Sequence, residues 1–252
     1  MPDDLTFYEL AYRTEWTQNW VRDLLLVSEN LKFREVCRTI NRECKYDRMS
    51  LRILDYGCGR GRLASLLQKY GTVTGLDFSR EAIEQAKQRV PKGTFFMKDV
   101  LDRAWVTTHQ NQFDVVVNSE LIEHLDWECQ DVLLENMKML LTDQGIAILT
   151  SPLRERVLEL KRSCDQSDDD FLKKFEGQPT ANLLTKSELL ELGSKYFAVV
   201  SVQEVSPLIK IRLLDLFLKT ISLPFRYALL EVLTHQLQLK GKFAVICLRK
   251  DL

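Results

Sequence analysis

The chain has 252 residues, with 35 Lys and Arg against 36 Asp and Glu and a formal net charge of −1. That length suits one α/β domain with additions and a sound core, while the near balance of charge argues against a protein built around a phosphate backbone, so no nucleic-acid partner is expected. Six scattered cysteines (Cys37, Cys44, Cys58, Cys129, Cys164, Cys247) form no C-x-x-C pair, Met1-Pro2-Asp3-Asp4 lacks signal-peptide character, and no uncharged apolar run reaches spanning length; the expectation is a cytoplasmic protein with reduced thiols and no transmembrane segment.

An aromatic entry of Phe7, Tyr8, Tyr12 and Trp16 leads into helical spacing from about Glu15 to Arg42, carried by Trp16, Trp20, Leu24, Leu25 and Leu31. This predicts an N-terminal helical cap over residues 1–48, ahead of a domain over 49–252. The entry either packs that helix on the sheet or helps to close a ligand site. Strand signals follow at 51–55, 72–77, 94–98, 113–118, 145–150, 197–204 and 242–249. Helical signals fall between them at 61–70, 80–90, 127–141, 154–163 and 186–195. Strands alternating with helices imply a doubly wound, mostly parallel sheet with helices on both faces.

Two segments interrupt this rhythm. Ser163 to Asn182 is polar and acidic around Asp168-Asp169-Asp170, and reads as a solvated loop or as a lid that orders over substrate. Pro207 to Lys240 predicts a helical insertion between strands six and seven. Ile211, Leu214, Phe217, Leu218 and Ile221 share one face; Tyr227, Leu230, Leu233 and Leu237 share a second, with Pro224 between them. Lys210, Arg212, Asp215, Lys219 and Arg226 exclude a spanning helix. The pair either enlarges the core or forms a wall for an apolar substrate, a homodimer face, or a contact with a membrane surface.

The chemistry concentrates in Ile53-Leu54-Asp55-Tyr56-Gly57-Cys58-Gly59-Arg60-Gly61 and in Asp77, which closes the second strand. A glycine-rich turn between strand and helix lets the backbone approach a ligand, and an acid on the next strand suits ribose hydroxyls. A dinucleotide loop reads G-x-G-x-x-G, fitted to pyrophosphate. Here a carboxylate precedes Gly57, Gly59 and Gly61, which suits the ammonium and sulfonium of S-adenosylmethionine better than a second anion.

At these residues the chain resembles the class I S-adenosylmethionine-dependent methyltransferases. Phe96-Met97-Lys98-Asp99-Val100, Phe113 to Asn118 and Gly145 to Leu149 resemble that family's third, fourth and fifth strands, so the resemblance covers roughly residues 50–150. It implies a seven-stranded Rossmann-like sheet whose last strand is antiparallel and lies between its two predecessors. It also implies a site. Asp55, Gly57 and Gly59 would hold the methionine portion, with Cys58 a small residue beside the ligand. Asp77 would hold the ribose and Phe78 the purine face. Asp99 would accept from the adenine amino group near the Val100 N–H, and Asn118 joins the cofactor-binding set.

After the fourth strand comes Asn118-Ser119-Glu120-Leu121-Ile122-Glu123-His124-Leu125-Asp126. Were residues 119 onward helical, Glu120, Glu123 and His124 would share one face. His124 is then a general-base candidate, with a structural role in the fold as the other reading. Glu-x-x-Glu-His also resembles the pattern of ubiquinone-biosynthesis O-methyltransferases and of small-RNA 2′-O-methyltransferases, where the latter hold a divalent metal with a further histidine. Only His109 and His235 accompany His124 here, and Thr180-Ala181-Asn182-Leu183-Leu184-Thr185 carries none, so a metal is not favoured. The expected function is methyl transfer from S-adenosylmethionine, leaving S-adenosylhomocysteine, to an oxygen or nitrogen of a small, partly apolar metabolite. The alternatives are a metal-assisted RNA or other macromolecule methyltransferase, and a non-catalytic S-adenosylmethionine-binding module.

Overall fold

A computed structural model describes residues 19–44, 50–161, 182–207 and 241–250. The aromatic entry, most of the acidic segment from Ser163, and the helical insertion after Pro207 lie outside the described residues, as does His235. Helix α1 spans Asn19–Glu43. β1 (Leu51–Tyr56) and β2 (Gly71–Asp77) flank α2 (Arg62–Leu67) and a 3-10 turn at Gln68–Tyr70. Then follow α3 (Arg80–Arg89), β3 (Thr94–Met97), α4 (Arg103–Thr108) and β4 (Phe113–Ser119). A 3-10 turn at Ile122–His124 precedes α5 (Trp127–Leu140), β5 (Leu141–Pro152), α6 (Arg154–Lys161), α7 (Lys186–Ser194), β6 (Ala198–Pro207) and β7 (Gly241–Arg249).

The seven strands form one sheet in the order β3-β2-β1-β4-β5-β7-β6. β1 to β5 pair in parallel, and β7 runs antiparallel between β5 and β6, as the family resemblance implies. Parallel strands are covered on both faces, so they read as continuous apolar runs whose alternate residues serve different layers. Ile53, Val115, Val117, Ile146 and Ile148 enter one core layer with Phe33, Val36 and Ile40 of α1 and with Leu63, Leu67, Ile83 and Ala86. Leu54, Val116, Ala147 and Leu149 enter the other, against Trp105, Leu133, Leu134, Met137 and Leu189. The last turns of α1 are therefore packed into the same layer as β1.

Local signals set most helix starts. Ser79 Oγ accepts from Ala82 N at the start of α3, Asp126 accepts from Cys129 N at α5, and Thr185 forms a reciprocal capping box with Glu188 at α7. α4 was not expected from the sequence: its six residues bury only Trp105 and Val106, too few to display a helical period. β5 begins at Leu141 rather than 145, because α5 runs into the strand with no glycine or proline between.

Candidate functional site

The site forms where β1 and β2 end side by side. Parallel pairing sets Tyr56 opposite Leu76, and the chain turns so that Gly57 N and Cys58 N both donate to Leu76 O at 2.8 Å. Asp77 then closes the turn from below: Gly59 N donates to Oδ2 at 2.8 Å and Ser79 N to Oδ1 at 3.0 Å. Gly57 has a φ of 88°, and a Cβ added there would stand 2.3 Å from Leu121 Cδ1. Leu121, from the segment after β4, thus packs directly on the glycine turn, a contact that only a residue without a side chain permits.

Asp55 is 1% exposed, and its Oδ2 has no hydrogen-bond partner among the described residues. Burial away from water pushes its carboxyl up to about 7, opposed by the Ala64 N–H and reinforced by the nearby Asp77 charge. A buried acid without a partner on one oxygen is a place where a ligand donor or cation belongs. Asn118, fully buried, donates to Tyr56 O at 2.7 Å and ties β4 to β1; its Oδ1 likewise has no partner among the described residues. The Cys58 thiol is buried in the core layer beneath α2, and burial, with Asp55 and Asp77 nearby, raises its pKa well above normal. It is a packing thiol, so any ligand contact by Cys58 is through its backbone.

On the β2–β3 side, Phe78 and Met97 are both exposed apolar residues, and Asp77 pairs in register with Met97. Asp99 is exposed and accepts from Leu101 N at 2.8 Å. Val100 is buried, its carbonyl held by Asn136 Nδ2 at 3.1 Å and by the Tyr56 hydroxyl. These positions form a rim with an apolar face and an acceptor at its edge.

The segment after β4 departs from expectation. Glu120, Glu123 and His124 do not stand on one helical face, because Glu120 has a φ of 58° and helical turning begins only at Ile122. Glu120 instead meets Lys32 of α1, with Oε2 2.5 Å from Nζ. Glu123 is 2% exposed, whereas His124 is half-buried. Among the described residues, no three His, Cys, Asp or Glu side chains come close enough together to hold a metal ion. His109 stacks on Trp105 with 4.0 Å between ring centroids, just past the end of α4 and away from the glycine turn.

Two residues that the sequence did not single out hold this turn. The fully buried Gln130 donates from Nε2 to the carbonyls of Ile122, Leu125 and Asn182 at 3.1, 3.2 and 3.2 Å. Asn182 donates from Nδ2 to Leu125 O at 3.1 Å and from its backbone to Glu123 O at 3.0 Å. Their signal in sequence is weak, since each works through carbonyls and not through a charged or aromatic partner.

Against known proteins, residues 53–145 match the family model described as a methyltransferase domain. This stretch of the chain is similar to a methyltransferase domain. The ubiquinone biosynthesis O-methyltransferase of Psychrobacter arcticus is 30% identical over 112 residues, covering 42% of this chain and 41% of that protein. The match to the enzyme of the same name from Pelagibacter ubique covers 40% and 42%, at 28% identity, so the chain spans about two fifths of the length of the curated relatives it matches. Among solved structures, magnesium protoporphyrin IX methyltransferase from Synechocystis PCC 6803 with bound SAH has a TM-score of 0.61 at 15% identity, covering 95% of this chain and 91% of that one. That likeness speaks for the fold. Among the described residues, no helix is long and apolar enough to cross a membrane.

Proposed function

We propose that this chain is a cytoplasmic S-adenosylmethionine-dependent methyltransferase that methylates an oxygen or nitrogen of a small, partly apolar metabolite. The carrying observation is the buried Asp55 carboxyl, unpartnered on Oδ2, beside an Asp77 that already shapes the glycine turn. The residues present fit the donor. Asp55 and the turn from Gly57 to Gly59 would hold its methionine portion, and Asp77 its ribose. Phe78 would cover the purine, with Asp99 and the Val100 N–H at the adenine edge. Relatives named for ubiquinone biosynthesis support a small-molecule acceptor.

Bound there, the donor supplies a methyl group on a sulfonium whose leaving group departs neutral. The protein's share is then alignment and proton removal. Gln130 and Asn182 fix the turn that carries His124. His124, half-buried beside the ends of β4 and β5, accepts the proton that the acceptor oxygen or nitrogen loses. Calorimetric titration with S-adenosylmethionine should give one site per chain. Cell extract supplied with methyl-labelled donor should yield label in the small-molecule fraction. Absence of donor binding would sink the reading, and label confined to RNA or protein would sink the small-molecule acceptor.

Asp55 makes donor binding depend on pH. Its ionised form attracts the ammonium and sulfonium, and that form is the minority below about pH 7. Affinity is expected to rise about tenfold from pH 6 to pH 8, and Asp55→Asn should flatten this rise. Stability of the unliganded protein runs the other way. The folded pKa lies above the ordinary 3.8, so the folded state holds the proton longer, and stability falls as pH rises from about 4 to about 7. Thermal unfolding across that range checks the sign.

A further inference from the structure

Lys32 and Glu120 form a pair that is unfavourable on both sides. Lys32 is 4% exposed, and its ammonium lies 3.8 Å from the centroid of the Phe243 ring and 2.5 Å from Glu120 Oε2. Glu120 adopts a left-handed backbone that a side chain disfavours. Burying the Lys32 ammonium costs desolvation, which its attraction to the half-buried Glu120 carboxylate only offsets. Nor is the pair needed to join the strands. Ser119 Oγ and Thr150 Oγ1 lie 2.9 Å apart, and Glu120 N donates to Thr150 O at 3.1 Å. A strained Glu120 at the end of β4, meeting the buried ammonium of Lys32, points to a role in the site.

The place of the pair says which role. Glu120 is followed by Leu121, the residue that packs on Gly57. Glu120 is therefore the neighbour in the chain of the residue that walls the turn beside Asp55. S-adenosylmethionine carries one positive charge more than S-adenosylhomocysteine. A bare carboxylate next to this turn would favour the charged donor over the neutral product, and an ammonium against that carboxylate cancels most of its field.

We propose that Lys32 is a positioning residue that fixes and neutralises Glu120 at the end of β4, and thereby sets the preference of the site for cationic donor over neutral product. The inference rests on the donor assigned under the proposed function. A chain without this cation would hold the donor relatively more tightly than the product. Neither the helical pattern around Lys32 nor the spacing of Glu120 announces the pair, since 88 positions separate them in the numbering.

Calorimetry at low ionic strength with both ligands tests it, on the wild type and on Lys32→Met, Lys32→Arg and Glu120→Gln. Lys32→Met should raise the ratio of donor to product affinity by about two- to fivefold, and Lys32→Arg should leave it unchanged. Glu120→Gln, which keeps the ammonium and removes the carboxylate, should lower the ratio by a similar factor. High salt should shrink both shifts. A merely structural pair would change both affinities together; a constant ratio in Lys32→Met and Glu120→Gln overturns the proposal. Should Lys32→Met fail to fold, Glu120→Gln decides alone, a lower ratio supporting the role and an unmoved one overturning it. A wild type that binds both ligands, with a ratio that these variants do not move, refutes only the Lys32 role. A wild type that binds neither refutes the proposed function and this inference with it.

Discussion

Asp77→Ala is expected to weaken S-adenosylmethionine binding by at least about a hundredfold, the equivalent of about 2.7 kcal/mol. Two losses combine in it. A carboxylate accepting from ribose hydroxyls makes charge-assisted hydrogen bonds, each worth about 1.5–3 kcal/mol. The same carboxylate also receives Gly59 N at 2.8 Å and Ser79 N at 3.0 Å, so its removal loosens the turn that must present the methionine portion. Asp77→Asn should lie between wild type and alanine. Its amide can satisfy one of those N–H donors through its oxygen, but it turns its own N–H groups toward the other. Calorimetry on variants shown by circular dichroism to be folded would check the order. Binding of Asp77→Ala within about threefold of wild type would remove Asp77 from the site.

Much of this arrangement was legible because its causes are local. The spacing from Asp55 through Gly57 and Gly59 to Gly61 shows a turn, and the structure gives all three glycines positive φ. The parallel strands were legible as apolar runs such as Val115 to Val117, whose alternate residues fill opposite layers. The position of β7 between β5 and β6 was not a local matter, and came from family resemblance alone.

What was not legible depends on partners far away in the chain. Nothing in Asn118-Ser119-Glu120-Leu121 warns of a left-handed glutamate, a conformation commoner for glycine and asparagine. Glu120 takes it where Lys32 of α1 receives its carboxylate. Lys32 itself reads as a solvated position on a helix until Phe243 and Glu120 are seen to enclose it. Cys58 sits among ligand-facing residues in the sequence, yet its thiol faces the core, because the turn rotates each successive residue. The first residue of β2 was missed for the opposite reason. A glycine at a strand start is ordinary, and only the neighbouring strand reveals what it does.

Gly71→Ala is expected to destabilise the protein more than any surface change, by about 3 kcal/mol or more. Gly71 holds a φ of 152°, and a Cβ there would lie 2.0 Å from Leu51 O and 2.5 Å from Leu51 N. These are backbone atoms of the paired strand, so no rotamer change can relieve the contact. β2 must instead part from β1 at its first pair, Leu51 with Gly71. Gly193→Ala provides the contrast: its nearest new neighbour is Leu248 Cδ2 at 3.2 Å, the end of a side chain able to move, within a helix that alanine favours. In a chain of this size each kcal/mol shifts the melting temperature by about 2–4 °C, so Gly71→Ala should melt about ten degrees lower and Gly193→Ala close to wild type. The damage should reach the site, because the register from Leu51 opposite Gly71 to Tyr56 opposite Leu76 sets Leu76 O beneath Gly57 and Cys58, and Asp77 beneath Gly59. Donor affinity in Gly71→Ala should therefore fall even at temperatures where the variant is folded. An unchanged melting temperature would mean that β1 and β2 do not pair in this register, and the placing of Asp55 beside Asp77 would fall with it.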